Sequence, residues 1–132
     1  FANEEESKAL TGLEPEESAR HLSQRVDIAA VKTGPGGSFV AMNGEITAVP
    51  TKKITPVDTT GAGDLYAAGF LFALTKGKNA YECGRTGSVI ASEVITNIGA
   101  KIPEEKWENI VQLMYPFYKK KVFVKLFFRT FV

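Results

Sequence analysis

The sequence predicts an α/β fold, in which a sheet is flanked by helices. Two observations predict it. The first half of the 132-residue chain contains short β-branched segments separated by Gly- and Pro-rich turns, and the second half contains long segments with helical patterning. Strands followed by helices in a chain of this length are typical of a single α/β domain with a modest core.

The first half is predicted to run from the end of a strand through two helices into a further strand and a hairpin. Pro15 suits the first turn of the second helix, and the Asn43-Gly44 pair predicts the turn of the hairpin. The predicted elements are a strand end over 1–3, helices over 3–10 and 14–24, a buried strand over 26–32, and hairpin strands over 38–42 and 45–50.

The second half is predicted to be helical after an irregular segment over 52–57. Gly77 follows the first helix of this half, where it suits a C-terminal cap, and Asn79 is placed to cap the next helix. The Gly99-Ala100 pair ends that second helix. The three predicted helices cover residues 62–75, 79–97 and 103–114.

The composition excludes several classes of function. Apolar residues make up 44% of the chain and charged residues 23%, and the net charge of +1 gives no overall attraction to nucleic acid or to a membrane. A single cysteine, Cys83, excludes an internal disulfide and predicts a reducing compartment, the cytoplasm. The only histidine, His21, lies in a polar helix, so we expect it at the surface and predict no His/Cys metal cluster.

The most informative segment is Val57-Asp58-Thr59-Thr60-Gly61-Ala62-Gly63-Asp64, which precedes an apolar helical run. A Gly-rich turn that opens a helix presents backbone N–H groups at the positive end of the helix dipole, which suits a phosphate. Asp64 would lie beside that phosphate although it is itself negative. Its best explanation is that it removes a proton from a hydroxyl that attacks the phosphate.

Two other phosphate-binding motifs do not fit this segment. A P-loop requires Gly, four residues and then Gly-Lys-Ser/Thr, and the sequence contains no such run. A dinucleotide fingerprint requires a third Gly, and this chain has Tyr66 at that position. The fingerprint also follows directly on a strand, whereas Pro56 interrupts any strand before this segment.

The run Asp58-Thr59-Thr60-Gly61-Ala62-Gly63-Asp64 resembles the C-terminal signature of the PfkB, or ribokinase-like, carbohydrate kinases. The resemblance implies a three-layer α/β/α sandwich with a mostly parallel sheet, of which residues 1–114 form the ATP-side portion. It also implies ATP-dependent phosphorylation of a sugar or nucleoside hydroxyl. Asp64 would be the base, and the N–H groups of Gly61, Ala62 and Gly63 would stabilise the transferring phosphoryl group.

Three further segments resemble ligand-binding parts of the family. Asn3 and Glu6 match an Asn-x-x-Glu element that helps to place Mg²⁺ through water, although acidic residues at a helix N-terminus also stabilise the helix dipole. Thr33, Gly34 and Gly36 match a nucleotide-binding strand end, which alternatively is a simple turn. Ser88 matches a position beside the adenine base, or it serves helix packing.

Asp58 and Thr60 match positions that hold a monovalent cation, such as K⁺, in several members of the family. The alternative is that Asp58 is a turn residue. Kinases of this family are about twice the length of this chain or more, so the resemblance covers only their C-terminal portion. The family's acceptor contacts, lid and homodimer contacts come largely from the other half.

Residues 115–132 form a tail rich in Phe and basic residues that does not resemble the family. A tail that is non-native or poorly integrated is the favoured interpretation, ahead of an aggregation-prone strand or a membrane contact.

Two alternatives to the kinase prediction stay open. One is a catalytically silent nucleotide-binding fragment, and the other is a membrane- or partner-binding module driven by the tail.

Overall fold

A computed structural model of the chain describes residues 1–114. The tail over 115–132, with each of the interpretations offered for it, lies outside the described residues. Residues 1–114 form four strands and five α-helices, with short 3₁₀ turns at Gly34–Gly36 and Glu104–Lys106. In chain order these are β1 (Ala2–Asn3), α1 (Glu4–Thr11), α2 (Pro15–Leu22), β2 (Ile28–Lys32), β3 (Ser38–Met42), β4 (Glu45–Val49), α3 (Ala62–Thr75), α4 (Ala80–Val94) and α5 (Trp107–Met114).

The α/β prediction is confirmed, and the sheet itself is mixed. The strand order is β1-β2-β3-β4, in which β1 and β2 are parallel while β2–β3 and β3–β4 are antiparallel. Among residues 1–114, one strand pair is therefore parallel and two are antiparallel. The mostly parallel sheet that the resemblance implied is that of the family's complete fold. The Asn43-Gly44 turn, with φ values of 53° and 80°, returns the chain directly into an antiparallel partner.

Helices cover both faces of the sheet. Successive residues of β2 point to opposite sides, and its apolar residues are buried on both. Ala29 and Val31 pack with Ala19 of α2 on one face. On the other face, Ala30 packs with Tyr66 and Phe70 of α3. Burial of each large apolar side chain contributes about 1.5–3 kcal/mol, so these two clusters fix the positions of the helices against the sheet.

Helices α3 and α4 pack closely through small residues. A Cβ atom built on Gly69 would lie 2.9 Å from the Gly87 Cα atom, and one built on Gly87 would lie 2.6 Å from the Tyr66 carbonyl oxygen. A third cluster, which includes Phe72, Ile90 and Trp107, attaches α5 to this pair. Within residues 1–114, no helix has the length and apolar character needed to cross a bilayer.

Candidate active site

The Gly-rich segment lies at the N-terminus of α3, as predicted. Gly61 has φ 78°, a left-handed conformation that favours glycine, and it caps the helix without a side-chain hydrogen bond. The Ala62 N–H donates to the Thr59 carbonyl oxygen at 3.1 Å. The backbone hydrogen bonds found among residues 1–114 include none donated by Gly61, Gly63 or Asp64. This helix end therefore presents three N–H groups that suit an anion.

Asp64 occupies the first turn of α3, two residues after Ala62, and its side chain is exposed. Within the described part of the chain, its carboxylate makes neither a hydrogen bond nor an ion pair that would engage its oxygens. The carboxylate is therefore accessible to a substrate hydroxyl beside the Gly-rich turn. That arrangement is the one a general base requires.

Asp58 attaches the Gly-rich turn to the end of α4. Its Oδ1 atom accepts a hydrogen bond from the Thr60 N–H and its Oδ2 atom accepts one from the Gly99 N–H, both at 2.8 Å. Hydrogen bonding with Thr60 and with the Gly99 backbone lowers the pKa of the Asp58 carboxyl below its ordinary value. Asp58 is thus a turn residue in this structure, and a cation at Asp58 and Thr60 would have to share these carboxylate oxygens.

A second contact fixes the same turn. A Cβ atom built on Gly61 would lie only 2.6 Å from the Ala100 Cβ atom, so the turn packs directly on the segment that follows α4. The Val57 N–H also donates to the Ile95 carbonyl oxygen at 2.7 Å. The N-terminus of α3 is therefore held from one side by the end of α4.

The opposite side of the turn faces the carboxyl ends of β1 and β2. Asn3, the last residue of β1, lies opposite Lys32, the last residue of β2. A Cβ atom built on Gly63 would lie 3.0 Å from Lys32 Nζ. The parallel pair thus brings the predicted Asn3 and Thr33 positions to the same sheet edge as the Gly-rich turn. Nothing in the motif pattern alone indicates Lys32, but its alternation with Ala30 along β2 places it on the α3 side.

Asn3 and Glu6 form a capping box at the start of α1. Asn3 Oδ1 accepts from the Glu6 N–H at 2.8 Å, and Glu6 Oε2 accepts from the Asn3 N–H at 2.7 Å. Both side chains are exposed, and the second Glu6 oxygen remains available to water. Oxygen donors of this kind fit a hydrated Mg²⁺ ion that is held mainly by phosphates. Among residues 1–114, no group of three or more His, Cys, Asp or Glu side chains gathers into a metal-binding cluster.

The predicted nucleotide residues occupy different environments. Thr33, Gly34 and Gly36 form the tight turn after β2, in which the Gly36 N–H donates to the Thr33 carbonyl oxygen at 2.9 Å. Gly34 and Gly36 are exposed at the sheet edge and accessible to a ligand. Ser88, in contrast, is 5% exposed within α4 next to Gly87. Ser88 therefore lies in a helix-packing environment, and its predicted contact with a base stays a prediction.

Tyr66 connects the first turns of α3 to the sheet by a hydrogen bond. No sequence motif indicated this contact. Its hydroxyl group is hydrogen-bonded to the Ser38 hydroxyl at 2.8 Å in a buried position. Ser38 pairs with Lys32 across β2 and β3, so this bond lies beside the candidate site. Burial raises the pKa of Tyr66 to about 12, against a smaller opposing effect of its hydrogen bond with Ser38.

Comparison with known proteins identifies the class of this fold and site. A nucleoside kinase from Methanocaldococcus jannaschii is 34% identical over 113 residues, which cover 85% of this chain and 37% of that protein. The structure of a probable sugar kinase from Rhizobium etli CFN 42 superposes with a TM-score of 0.77 at 35% identity, covering 85% of this chain and 34% of that one. Both likenesses indicate an α/β fold of the ribokinase-like class.

The model of the pfkB family of carbohydrate kinases matches residues 1–107. The chain therefore belongs to the pfkB family. It spans about a third of the length of the curated relatives it matches. A fructokinase from Vibrio cholerae O395, whose structure contains fructose, ADP and calcium, is 27% identical with a TM-score of 0.66, covering 74% of this chain and 34% of that one.

Proposed function

We propose that this chain carries the phosphate-transferring part of an ATP-dependent kinase that acts on a sugar or nucleoside hydroxyl. The observation that carries the proposal is the exposed Asp64 carboxylate directly after a helix N-terminus whose Gly61 and Gly63 N–H groups are not engaged in the described fold. Family membership supports the same reaction. Sugar and nucleoside kinases among the relatives support the substrate class.

In the proposed reaction, the substrate hydroxyl oxygen forms a bond to the γ-phosphorus of ATP while the bond from that phosphorus to the bridging oxygen breaks. ADP leaves, and the hydroxyl proton passes to the Asp64 carboxylate. The N–H groups of Gly61 and Gly63 donate to the phosphoryl oxygens, where charge is spread in the transition state. The Ala62 N–H contributes only if it shares or leaves its bond to Thr59.

The proposed ligand set places the nucleotide along the sheet edge. Thr33, Gly34 and Gly36 would contact its phosphates and ribose, and Ser88 would lie towards the base. Asn3 and Glu6 would position Mg²⁺ through water, and the ion would neutralise phosphate charge when bound. Asp58 and Thr60 would form part of a monovalent-cation site that steadies the turn. The ADP and calcium named for the Vibrio fructokinase support nucleotide and metal use in this class.

The substitution Asp64→Asn tests the role of the base. We expect turnover of a phosphorylated sugar or nucleoside to fall by about 10²- to 10⁴-fold, while affinity for Mg·ATP stays within about threefold because the N–H groups remain. Asp27→Asn, which alters another exposed carboxylate, is the matched control. Activity of the Asp64→Asn protein equal to that of the Asp27→Asn protein would contradict the assignment.

A second candidate is a nucleotide-binding chain that transfers no phosphate. Its supporting observation is that the chain spans about a third of the length of its relatives. Calorimetric titration with Mg·ATP, followed by product analysis with a panel of sugars and nucleosides, separates the two candidates. Binding without any phosphorylated product favours the silent chain. We also propose a cytoplasmic location, in which Cys83 stays reduced.

A further inference from the structure

The Lys32 side chain lies next to the Gly-rich turn. The alternation of residues along β2 and the spacing of residues along α3 both account for this placement. In β2, Lys32 lies two residues after Ala30, so both side chains point to the face that α3 covers. In α3, Gly63 lies three residues before Tyr66, so both lie on the face that meets the sheet. The result is the 3.0 Å separation between Lys32 Nζ and a Cβ atom built on Gly63.

Among residues 1–114, no carboxylate oxygen lies within ion-pair distance of Lys32 Nζ. The ion pairs found there involve Lys8, Arg20 and Lys78, and none joins Lys32 to Asp64. Lys32 is also half-buried, so part of its side chain is shielded from water. A half-buried lysine without a carboxylate partner within ion-pair distance favours an anion that comes from outside the fold.

The electrostatics of α3 strengthen this argument. The N-terminus of a helix carries partial positive charge, and a cation placed there is unfavourable. Lys32 nevertheless points at the first turn of α3, where the N–H groups of Gly63 and Asp64 are unengaged in the described fold. The ammonium group and the positive helix N-terminus repel each other. An anion bound between them would attract both. Asp64, one residue further on, is exposed and forms no ion pair with Lys32.

We propose that Lys32 binds the γ-phosphoryl group of the nucleotide and neutralises its oxygens during transfer. This inference rests on the proposed function, in which the γ-phosphoryl group lies at Gly61–Gly63. The ammonium group opposes the negative charge that Asp64 brings to the site, so a carboxylate base and a phosphate can occupy neighbouring positions. Lys32 makes no covalent bond and transfers no proton in this role.

The test compares binding of Mg·ATP and Mg·ADP, because only ATP carries the γ-phosphoryl group. Calorimetry is performed on the full chain and on the variants Lys32→Met, Lys32→Arg and Lys76→Met. Methionine keeps the length and apolar stem of lysine without its charge, and arginine keeps the charge. Lys76→Met is the matched control, since Lys76 follows the other end of α3, about 20 Å away along the helix.

We expect Lys32→Met to weaken Mg·ATP binding by on the order of ten- to a hundredfold and Mg·ADP binding by less than about threefold. Lys32→Arg should retain most of the ATP affinity, and Lys76→Met should bind both nucleotides as the unaltered chain does. A thermal melt of each variant, with a midpoint near that of the unaltered chain, identifies these losses as local.

Three results would overturn the inference, and they differ in what else they affect. If the unaltered chain binds no Mg·ATP, the proposed function fails together with the role of Lys32. If the unaltered chain binds Mg·ATP and Lys32→Met binds it equally well, only the role of Lys32 fails. Equal losses for ATP and ADP would also contradict it, because the contact would then lie on another phosphate.

Discussion

Gly61 and Gly63 stand two residues apart in the Gly-rich turn, and the structure assigns them different constraints. Gly61 has φ 78°, and a Cβ atom there would lie 2.6 Å from the Ala100 Cβ atom, which cannot rotate away. Gly63 has helical backbone, and its nearest neighbour is the flexible end of Lys32 at 3.0 Å. The fold therefore requires glycine at position 61. At position 63 a side chain would only compete for space with the end of Lys32.

This contrast gives a prediction about stability. Gly61→Ala should lower the free energy of unfolding by about 1–3 kcal/mol, since a left-handed alanine costs roughly 1–2 kcal/mol and the contact with Ala100 adds to it. Gly63→Ala should leave the unfolding free energy unchanged or raise it by up to about 1 kcal/mol, because alanine favours helix. Urea unfolding of the two variants measures both, and equal losses would contradict the assignment.

The position of the signature residues at a helix N-terminus was predictable from the sequence, whereas the contacts that depend on the fold were not. Gly61, Ala62, Gly63 and Asp64 are adjacent in the chain, so their placement depends only on where α3 begins. Tyr66 and Lys32 are 34 residues apart in the chain, and their relation to the site depends on how α3 lies across β2. Only the three-dimensional packing shows that Ser38 holds Tyr66 beside the same strand end.

At the scale of elements, Asp58 joins two segments that the sequence separates by 41 positions. Its carboxylate accepts one N–H bond from Thr60 within the turn and one from Gly99 beyond α4. The two N–H groups donate to different carboxylate oxygens, and asparagine has an NH₂ group, which only donates, in place of one of them. The substitution Asp58→Asn should therefore release the turn before α3 from the end of α4 and lower the thermal midpoint at neutral pH.

The same substitution should change the response to acid. The pKa of Asp58 is lowered in the folded chain, so its stabilising contribution is complete above the ordinary carboxyl pKa of 3.8 and is lost as the pH falls through the lower folded value. The difference in thermal midpoint between the unaltered chain and Asp58→Asn should accordingly shrink between pH 6 and pH 3. Asp27→Asn provides the control, and a difference that stays constant with pH would refute the coupling.

The elements differ in how well their bounds follow from sequence. Helix α3 runs over Ala62–Thr75 as predicted, because Gly61 and the Lys76-Gly77 turn delimit it on both sides. Helix α4 ends at Val94, three residues before the predicted end, because the side chains of Thr96 and Asn97 hydrogen-bond the Glu93 carbonyl oxygen and close the helix early. The antiparallel pairing of β3 and β4 followed from the Asn43-Gly44 turn, which the sequence predicted.

At the scale of the whole molecule, the candidate site adjoins the core between the sheet and helices α3 and α4. Tyr66 and Cys83 belong to one cluster in this core, together with Val40 and Val49. Cys83 is fully buried, and burial raises the pKa of its thiol to about 11. Both groups therefore keep their protons in the folded chain at a pH where the unfolded chain releases them.

Alkaline pH should consequently destabilise the fold through this cluster. The raised pKa of Cys83 contributes stability that is complete below pH 9, the ordinary value for the thiol, and is lost as the pH rises towards 11. For Tyr66 the corresponding loss runs from pH 10 to about 12. Urea unfolding between pH 7 and pH 10.5 should show a falling free energy, and the thiol should account for the first part of the fall.

Cys83→Ala isolates that contribution. The variant should be less stable than the unaltered chain at pH 7, by about 1 kcal/mol for the lost apolar volume, but its free energy should fall less steeply above pH 9. The two curves should therefore converge as the pH rises, since a tenfold difference in proton affinity corresponds to about 1.4 kcal/mol. Parallel curves would show that the thiol ionises as readily in the folded chain as in the unfolded one. Water would then reach the part of the core that surrounds Cys83.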